Sequence, residues 1–310
     1  MFDVICMGSA TIDLFVTIDK KFSQCKSGDK TLMKSLDYET GGGGSNAAVS
    51  LSRLKCKTAF LSKVGDDHNG EKIIKELKQE KVKIIKTKKS KLRTSFSVIL
   101  ESTKETDRSI YTFKGANNDL VLNDFKLKNI KAKWLYLTTH LGKSFKTCKE
   151  VVKYVKQQNT KVIFNPSQYL AKQTKKIRPI LKLTDILVLN KTEAQLMTKS
   201  KTNIPNLAKK IFELGPKTVI ITDGPNGVYY FDNLIHTHVS AIKSKVVSTA
   251  GAGDAFTSGF LAGLIKKKDL KTSLNIGLKN ASSVIKHVGT KNKLLTWRAV
   301  TKWLLTQKNF

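Results

Sequence analysis

The chain has 310 residues, 40% of them apolar, with 56 Lys and Arg against 24 Asp and Glu, a formal charge of +32. That length buries a large core, as one big α/β domain or two smaller ones, and the apolar share is ordinary for a soluble globular protein. No apolar run approaches the roughly 18 residues of a transmembrane helix, and the N-terminus lacks the regions of a signal peptide, so neither a membrane role nor secretion is expected. The cysteines Cys6, Cys25, Cys56 and Cys148 form no CxxC pair. That pattern fits free thiols in a cytoplasmic protein and not a zinc site. The charge invites a nucleic-acid reading. Yet only Arg53, Arg93, Arg108, Arg178 and Arg298 carry the guanidinium that makes bidentate base and phosphate contacts. The lysines are spread over every predicted helix, as on solvated faces. No specific nucleic-acid partner is expected, although anionic substrates should be attracted.

Val4-Ile5-Cys6-Met7 reads as a buried first strand ended by Gly8. Asp13 follows just beyond its carboxyl end, where ligands bind in open α/β sheets. A carboxylate there accepts hydrogen bonds from sugar hydroxyls, or is a solvated loop residue. Residues 14–36 alternate weakly and carry no helix signal, which points to strands outside the main sheet. Gly41-Gly42-Gly43-Gly44 then opens an apolar helix through Ser45, Asn46, Ala47 and Ala48. A run of glycines costs too much entropy to be filler, so close approach by something is expected. Asn46 either caps the helix or binds a ligand hydroxyl.

Thr58 to Val64 reads as a strand, then Gly65-Asp66-Asp67-His68-Asn69-Gly70 as a tight turn. Glu71 to Glu80 is a helix with Ile73, Ile74 and Leu77 on one face. Residues 94–100 and 109–113 are strands of a hairpin, linked by the polar stretch 101–108. Buried strands at 134–137 and 161–164 flank a helix over 145–157. The strand 185–189 ends at Asn190-Lys191-Thr192-Glu193. Asn190 and Glu193 can share one helix face. Such an oxygen pair suits Mg²⁺, which is bound through few carboxylates plus waters and phosphates. It suits a capping box equally well. The strand 218–221 precedes the turn Thr222-Asp223-Gly224-Pro225-Asn226-Gly227 and a hairpin strand over 228–231.

Strand-like Lys245-Val246-Val247 leads into Ser248-Thr249-Ala250-Gly251-Ala252-Gly253-Asp254, which feeds an apolar helix. Helices over 274–287 and 294–305 finish the chain. The first N–H groups of a helix lack intrahelical partners, and the dipole adds positive charge there. Gly251 and Gly253 let the backbone approach a phosphate at such a terminus. Asp254 beside them can take a proton from an attacking hydroxyl. The competing reading is a glycine-rich connection with Asp254 as N-cap. Alternating strands and helices imply an α/β fold with a mainly parallel sheet covered on both faces. Together the turns make a phosphoryl-transfer site plausible without any GxxxxGK[ST] loop.

Over essentially its whole length the chain resembles the ribokinase-like carbohydrate kinases, the PfkB family. Gly41 to Ala48 looks like that family's N-terminal signature, and Val246 to Gly259 like its C-terminal GAGD signature. Gly65 to Gly70 matches GDDxxG, Asn190 to Glu193 matches NxxE, and Thr222 to Gly227 matches TxGxxG. The resemblance implies a single αβα-sandwich kinase domain over 1–310, with a small β lid drawn from about 14–36 and 94–113. It implies an ATP-dependent kinase acting on a hydroxymethyl group of a sugar, or alternatively of a nucleoside. Asp254 would be the general base, with an anion hole from the N–H groups of Gly251, Ala252 and Gly253. Asp13, Gly42, Gly43 and Asn46 would hold the acceptor. Asn190, Thr222, Gly224, Gly227 and Asn280 would line the nucleotide site. Asn190 and Glu193 would place Mg²⁺ through water. A homodimer through the lid is implied as well. A different class, a non-catalytic polyanion-binding protein on the same fold, would show no hydroxyl-dependent ATP turnover.

Departures from the family pattern refine these expectations. Gly43 stands where ribokinase and the family's phosphofructokinases often carry Lys. Thr11 stands where an Asn often precedes the sugar-binding Asp. Thr138 and Thr139 replace an acidic residue of ribokinase. An unphosphorylated sugar or nucleoside is therefore expected over fructose 6-phosphate. Ser248 stands where potassium-activated relatives carry a carboxylate, so only modest activation by a monovalent cation is expected.

Overall fold

The computed structural model describes residues 1–105 and 108–307. It opens with β1 (Phe2–Met7), β2 (Thr11–Ile18), β3 (Met33–Gly41), α1 (Gly43–Arg53), β4 (Thr58–Leu61), α2 (His68–Gln79) and β5 (Lys83–Ile84). β6 (Phe96–Ser102) and β7 (Arg108–Phe113) follow. Next come β8 (Ala132–Leu137), α3 (Gly142–Gln157), β9 (Lys161–Phe164), α4 (Ser167–Ala171), α5 (Thr174–Leu181), β10 (Ile186–Asn190) and α6 (Lys191–Thr198). The chain ends with α7 (Ile204–Phe212), β11 (Thr218–Thr222), β12 (Val228–Asp232), β13 (His236–Val239), α8 (Ala252–Ile265), α9 (Leu270–Val284) and α10 (Trp297–Gln307).

One sheet has the order β13-β12-β11-β10-β9-β8-β1-β4-β5. Its pairs are parallel except for the antiparallel edge β11-β12-β13. Alternation along the strands explains the layers. In β1, Val4 and Cys6 enter a core beneath α1, α2, α8 and α9, while Ile5 and Met7 enter a second core beneath α3, α5, α6 and α7. Successive strand residues face opposite sides, so a strand apolar throughout needs cover on both faces. The result is the expected αβα sandwich. Among the described residues, no helix is long and apolar enough to cross a membrane.

The sheet order also places the crevice. β1 leads to β4 on one side, and β8 leads to β9 on the other. Ligand crevices form where connections diverge in this way, beyond the carboxyl ends of the strands. Gly8 and Thr138 stand there, and a Cβ on Gly8 would collide with Thr138 Oγ1. Helix α8 points its N-terminus at this place. It is apolar nearly all round, as a fully packed helix is. Burial of Phe256 and Phe260 contributes roughly 1.5–3 kcal/mol each and pins its start. Gly259 lets α9 approach: a Cβ there would lie 3.0 Å from Gly277 Cα.

A separate sheet has the order β3-β2-β6-β7, with β2 and β6 parallel and the outer pairs antiparallel. It is the small β element expected from 14–36 and 94–113, but its first strand begins earlier. Asp13 therefore lies inside β2, in register with Glu39 and Ser97, and not on a loop beyond β1. The polar link of the β6-β7 hairpin includes residues 106 and 107, which lie outside the described residues. Lys245-Val246-Val247 is not a strand. Val246 and Val247 are 57% and 53% exposed, and the N–H groups of Val247 and Ser248 donate to Ile285 O at 2.7 and 3.1 Å. The end of α9 satisfies this backbone, so no strand partner is needed.

Candidate active site

Two helix N-termini converge at the crevice. Gly251 is the N-cap of α8 in a left-handed conformation, φ 77°. Asp254 stands on the first turn, where the dipole favours a carboxylate. From the first turn of α1, Asn46 Nδ2 donates to Asp254 Oδ2 at 2.9 Å. Asn46 Oδ1 accepts from Thr290 Oγ1 at 3.0 Å, which fixes the direction of the amide. Gly43 faces the same carboxylate: a Cβ there would lie 3.2 Å from Asp254 Oδ1. One carboxylate oxygen is thus held by Asn46 and the other looks toward space that a side chain at 43 would fill. Burial raises the Asp254 carboxyl to about 6; the Asn46 bond opposes this, and the carboxylates of Glu193 and Asp13 add to it. A carboxylate tuned upward in this way is a stronger base near neutral pH.

The N–H groups of Gly251 and Gly253 meet no protein acceptor among the described residues. The N–H of Ala252 differs, because it reaches Thr249 O at 3.3 Å. A cleft of about 200 Å³ opens over Gly251, Gly253 and Asp254 and reaches Asn190, Glu193 and Thr222. Asn190 and Thr222 are register partners at the carboxyl ends of β10 and β11. Asn190 Oδ1 accepts from Glu193 N at 2.8 Å, and Glu193 Oε2 accepts from Asn190 N at 2.9 Å. That is a full capping box. Glu193 Oε1 keeps no protein partner among the described residues. Burial raises the Glu193 carboxyl, and the Asn190 N–H opposes it. A carboxylate oxygen of this buried side chain beside an open cleft is compatible with a cation held through water, and the capping box does not use it.

Asp13 sits on the lid side of the crevice, buried, and accepts from Thr11 Oγ1 at 2.9 Å. Burial raises its carboxyl, while Thr11, Ser97, Lys291 and Lys114 hold it down. Gly41 leaves room for it, since a Cβ at 41 would occupy the place of Asp13 Oδ2. A larger, shallow groove of about 590 Å³ lies at the opposite end of the strands, along Phe2, Lys55, Lys57 and Lys83. It has no carboxylate among its walls and lies far from the converging helix starts. Lys55 and Lys81 follow the C-termini of α1 and α2, where the dipoles favour cations.

Residues 1–297 match the family model described as pfkB family carbohydrate kinase. The chain belongs to this family. It is a phosphotransferase with an alcohol group as acceptor, of the ribokinase-like sugar-kinase type. It is similar to ribokinase of Staphylococcus aureus, 27% identical over 298 residues, which covers 93% of this chain and 95% of that protein. Its fold matches ribokinase of Thermotoga maritima with a TM-score of 0.86 and 23% identity, over 98% of this chain and 100% of the other. It also matches ribokinase of Arabidopsis thaliana complexed with ribose and ATP, with a TM-score of 0.84 and 24% identity over 98% of each chain.

In this pfkB-family kinase the crevice brings together Asp13, Gly43, Asn46 and Asp254 on one side and Asn190, Glu193 and Thr222 on the other. Gly42 packs closely on the chain before β2: a Cβ there would lie 2.6 Å from Ser9 O. Gly224 and Gly227 form the turn after β11, where the Asp223 N–H donates to Gly227 O at 2.8 Å. A Cβ on Gly227 would meet β13 backbone, whereas one on Gly224 would meet nothing. Asn280 does not reach the cleft. It is fully buried, donating to Ser50 Oγ at 3.0 Å and Ala255 O at 2.8 Å and accepting from Leu295 N at 2.9 Å. Its side chain ties α9 to α1 through Ser50, to the first turn of α8 through Ala255 and to the segment before α10 through Leu295.

Several residues near the cleft carried no motif. Asn165 and Ser167 line it just after β9. Thr138 Cγ2 lies 3.5 Å from where a Gly43 Cβ would be, and its buried Oγ1 has no protein partner among the described residues. Thr290 orients Asn46. The sequence signal for Asn165 was its position at the carboxyl end of a predicted strand, which marks the crevice edge without naming a role; Thr138 stands in addition where ribokinase has an acidic residue.

Proposed function

We propose that the chain is an ATP-dependent sugar kinase that phosphorylates a hydroxymethyl group, with a ribose-like sugar as acceptor, and works as a single kinase domain. The observation that carries this is the tuned Asp254 carboxylate beside the unengaged N–H groups of Gly251 and Gly253, opposite Gly43. The acceptor lies between Gly43 and Asp254, its other hydroxyls toward Asp13 and Asn46. Asp254 takes the proton from the attacking hydroxyl. The new O–P bond forms as the bond from the γ-phosphorus to the bridging oxygen breaks, and ADP leaves with that electron pair. The N–H groups at the start of α8 stabilise the charge on the transferring phosphoryl group. The nucleotide lies along Asn190, Thr222, Gly224 and Gly227. Mg²⁺, when bound, supplies charge neutralisation to the phosphates. Asn190 and Glu193 Oε1 would hold it through waters.

Gly43 leaves no cation for a substrate phosphate at that position. The acceptor is therefore an unphosphorylated sugar. We further infer a homodimer through the lid, whose Met33, Leu36, Ile110 and Phe113 are more than half exposed at 59%, 57%, 53% and 54%. The test is a panel of D-ribose, adenosine and fructose 6-phosphate, scored by ADP release. The highest kcat/KM is expected for D-ribose. A highest value for fructose 6-phosphate overturns the acceptor assignment, and a highest value for adenosine makes this a nucleoside kinase.

A further inference from the structure

The segment after α9 carries a buried ammonium that neither the proton transfer nor the anion hole uses. Lys291 is 9% exposed. Its Nζ donates to Glu76 Oε1 of α2 at 2.6 Å and to Thr40 Oγ1 at the end of β3. Thr40 Oγ1 in turn donates to Glu76 Oε2, which closes a three-membered ring of charge-assisted bonds. The carbonyl of Lys291 accepts from Arg53 Nη1 at 3.0 Å, and Arg53 pairs with Glu80 at 2.6 Å. So the loop is bound to α1, to α2 and to the last residues of the lid strand.

The neighbouring residue reaches the reacting groups. Thr290 Oγ1 donates to Asn46 Oδ1 at 3.0 Å, and Asn46 Nδ2 donates to Asp254 Oδ2 at 2.9 Å. The same Thr290 backs the anion hole: a Cβ on Gly251 would lie 2.7 Å from Thr290 O. At the other end, Thr40 precedes Gly41, which packs on the Asp13 carboxylate. One ammonium thus stands between the lid strand that carries the acceptor side and the loop that orients the base. Burial lowers the Lys291 ammonium, and Glu76 opposes this. A buried charge persists only when its bonds are complete, and such groups fix geometry more than they add stability.

We propose that Lys291 is a positioning residue that couples the lid to the catalytic pair, holding β3 through Thr40 while setting Thr290 against Asn46. This rests on the reading of Asp254 as the base. Removing the ammonium frees Thr290 to drift. Asn46 then loses its orienting bond, and Asp254 loses its fixed direction toward the acceptor. An ion pair that served only to hold the fold would leave kcat alone once the protein is folded.

The test pairs Lys291→Met with Glu76→Gln, so that no carboxylate is left without its cation. Thr290→Val and the triple variant complete a cycle, assayed with D-ribose and ATP. The Lys291→Met/Glu76→Gln protein and Thr290→Val are each expected to lose about tenfold in kcat, with KM for ATP within about twofold. The triple variant is expected to lose no more than about tenfold, because both changes break one chain of contacts. A loss near a hundredfold in the triple variant, or an unchanged kcat in the first, overturns the proposal. Hydrogen exchange on the free protein gives a readout independent of the acceptor. Amides 40–46 and 288–292 are expected to lose protection together in the Lys291→Met/Glu76→Gln protein, and unchanged protection at 40–46 overturns the coupling. Failure of the underlying reading looks different: Asp254→Asn would then keep its turnover.

Discussion

At the start of α1, the N–H groups of Gly44 and Ser45 both donate to Ser9 O, at 3.0 and 3.1 Å. At the start of α8, those of Gly251 and Gly253 meet no protein acceptor among the described residues. The first glycine-rich turn spends the donors of Gly44 and Ser45 inside the protein, while those of Gly42 and Gly43, like those of Gly251 and Gly253, meet no protein acceptor among the described residues. The packing differs in the same sense. A Cβ on Gly44 would lie 2.6 Å from Gly8 backbone, whereas one on Gly253 would meet nothing within 4 Å. Gly44 lets two stretches of backbone touch, and Gly251 does the same against Thr290, whereas Gly43 faces Asp254 and Gly253 faces open space. The comparison teaches that a glycine cluster reports close approach without saying what approaches, and that hydrogen-bond accounting decides it.

The sharpest break between the two turns is a pair of alanine substitutions. Gly44→Ala drives a methyl group into backbone that cannot yield, at a cost of roughly 1–3 kcal/mol or more. Its melting temperature should fall by several degrees. Gly253→Ala should melt no lower than the parent, since Ala gains about 0.5–1 kcal/mol over Gly in a helix. Yet its kcat should fall about tenfold or more, because the methyl group covers the anion hole. A Gly253→Ala protein that loses stability and keeps kcat would erase the distinction.

A smaller effect is expected from pH. As the proposed base, Asp254 acts only when ionised, and its carboxyl is raised to about 6. The rate should therefore rise with pH through about 6 and level off above it. Stability runs the other way. The fold favours the protonated carboxyl, so this contribution is full below the ordinary value of 3.8 and is lost as pH rises through about 6. An acid limb at an ordinary carboxylate pKa would contradict the upward shift, and an acid limb that persists in Asp254→Asn would show that another group controls the rate.

The smallest effect is expected from monovalent cations. Ser248 is buried, and its Oγ accepts from Ala250 N at 3.3 Å. An uncharged hydroxyl is a weak ligand for a hard cation, so KCl at fixed ionic strength should raise the rate less than about tenfold. Ser248→Asp should raise it more. A stimulation above about tenfold in the unmodified enzyme would mean that the missing carboxylate is not needed.

Much of the fold was legible because strands and helices announced themselves by apolar runs and periodicity. Val4 to Met7 and Ile186 to Leu189 are buried on both faces and read so. Asp13 was misplaced because β2 starts only four residues after β1 ends, too soon for a loop to be distinguished from a strand. Val246 and Val247 carry a strand's composition but meet the end of α9 instead of another strand. The start of α8 was legible from its small residues and lone carboxylate, and Gly251 is its N-cap with Asp254 on the first turn. The buried bonds of Asn280 to Ser50, Ala255 and Leu295 were not legible, because those partners lie on other elements of the chain. The bonds of Thr290 to Asn46 and of Lys291 to Glu76 were not legible, because the partners are more than 200 residues away in the chain.

The most direct measurement of the central claim is kcat for Asp254→Asn with D-ribose, alongside its affinity for ATP. The substitution removes proton abstraction and keeps shape, and the amide can still meet Asn46. A loss of about 10²–10⁴ in kcat is predicted, with the dissociation constant for ATP within about twofold. A folded variant with kcat comparable to the parent would contradict the assignment of Asp254, and with it the reading of the second glycine turn as the place of reaction.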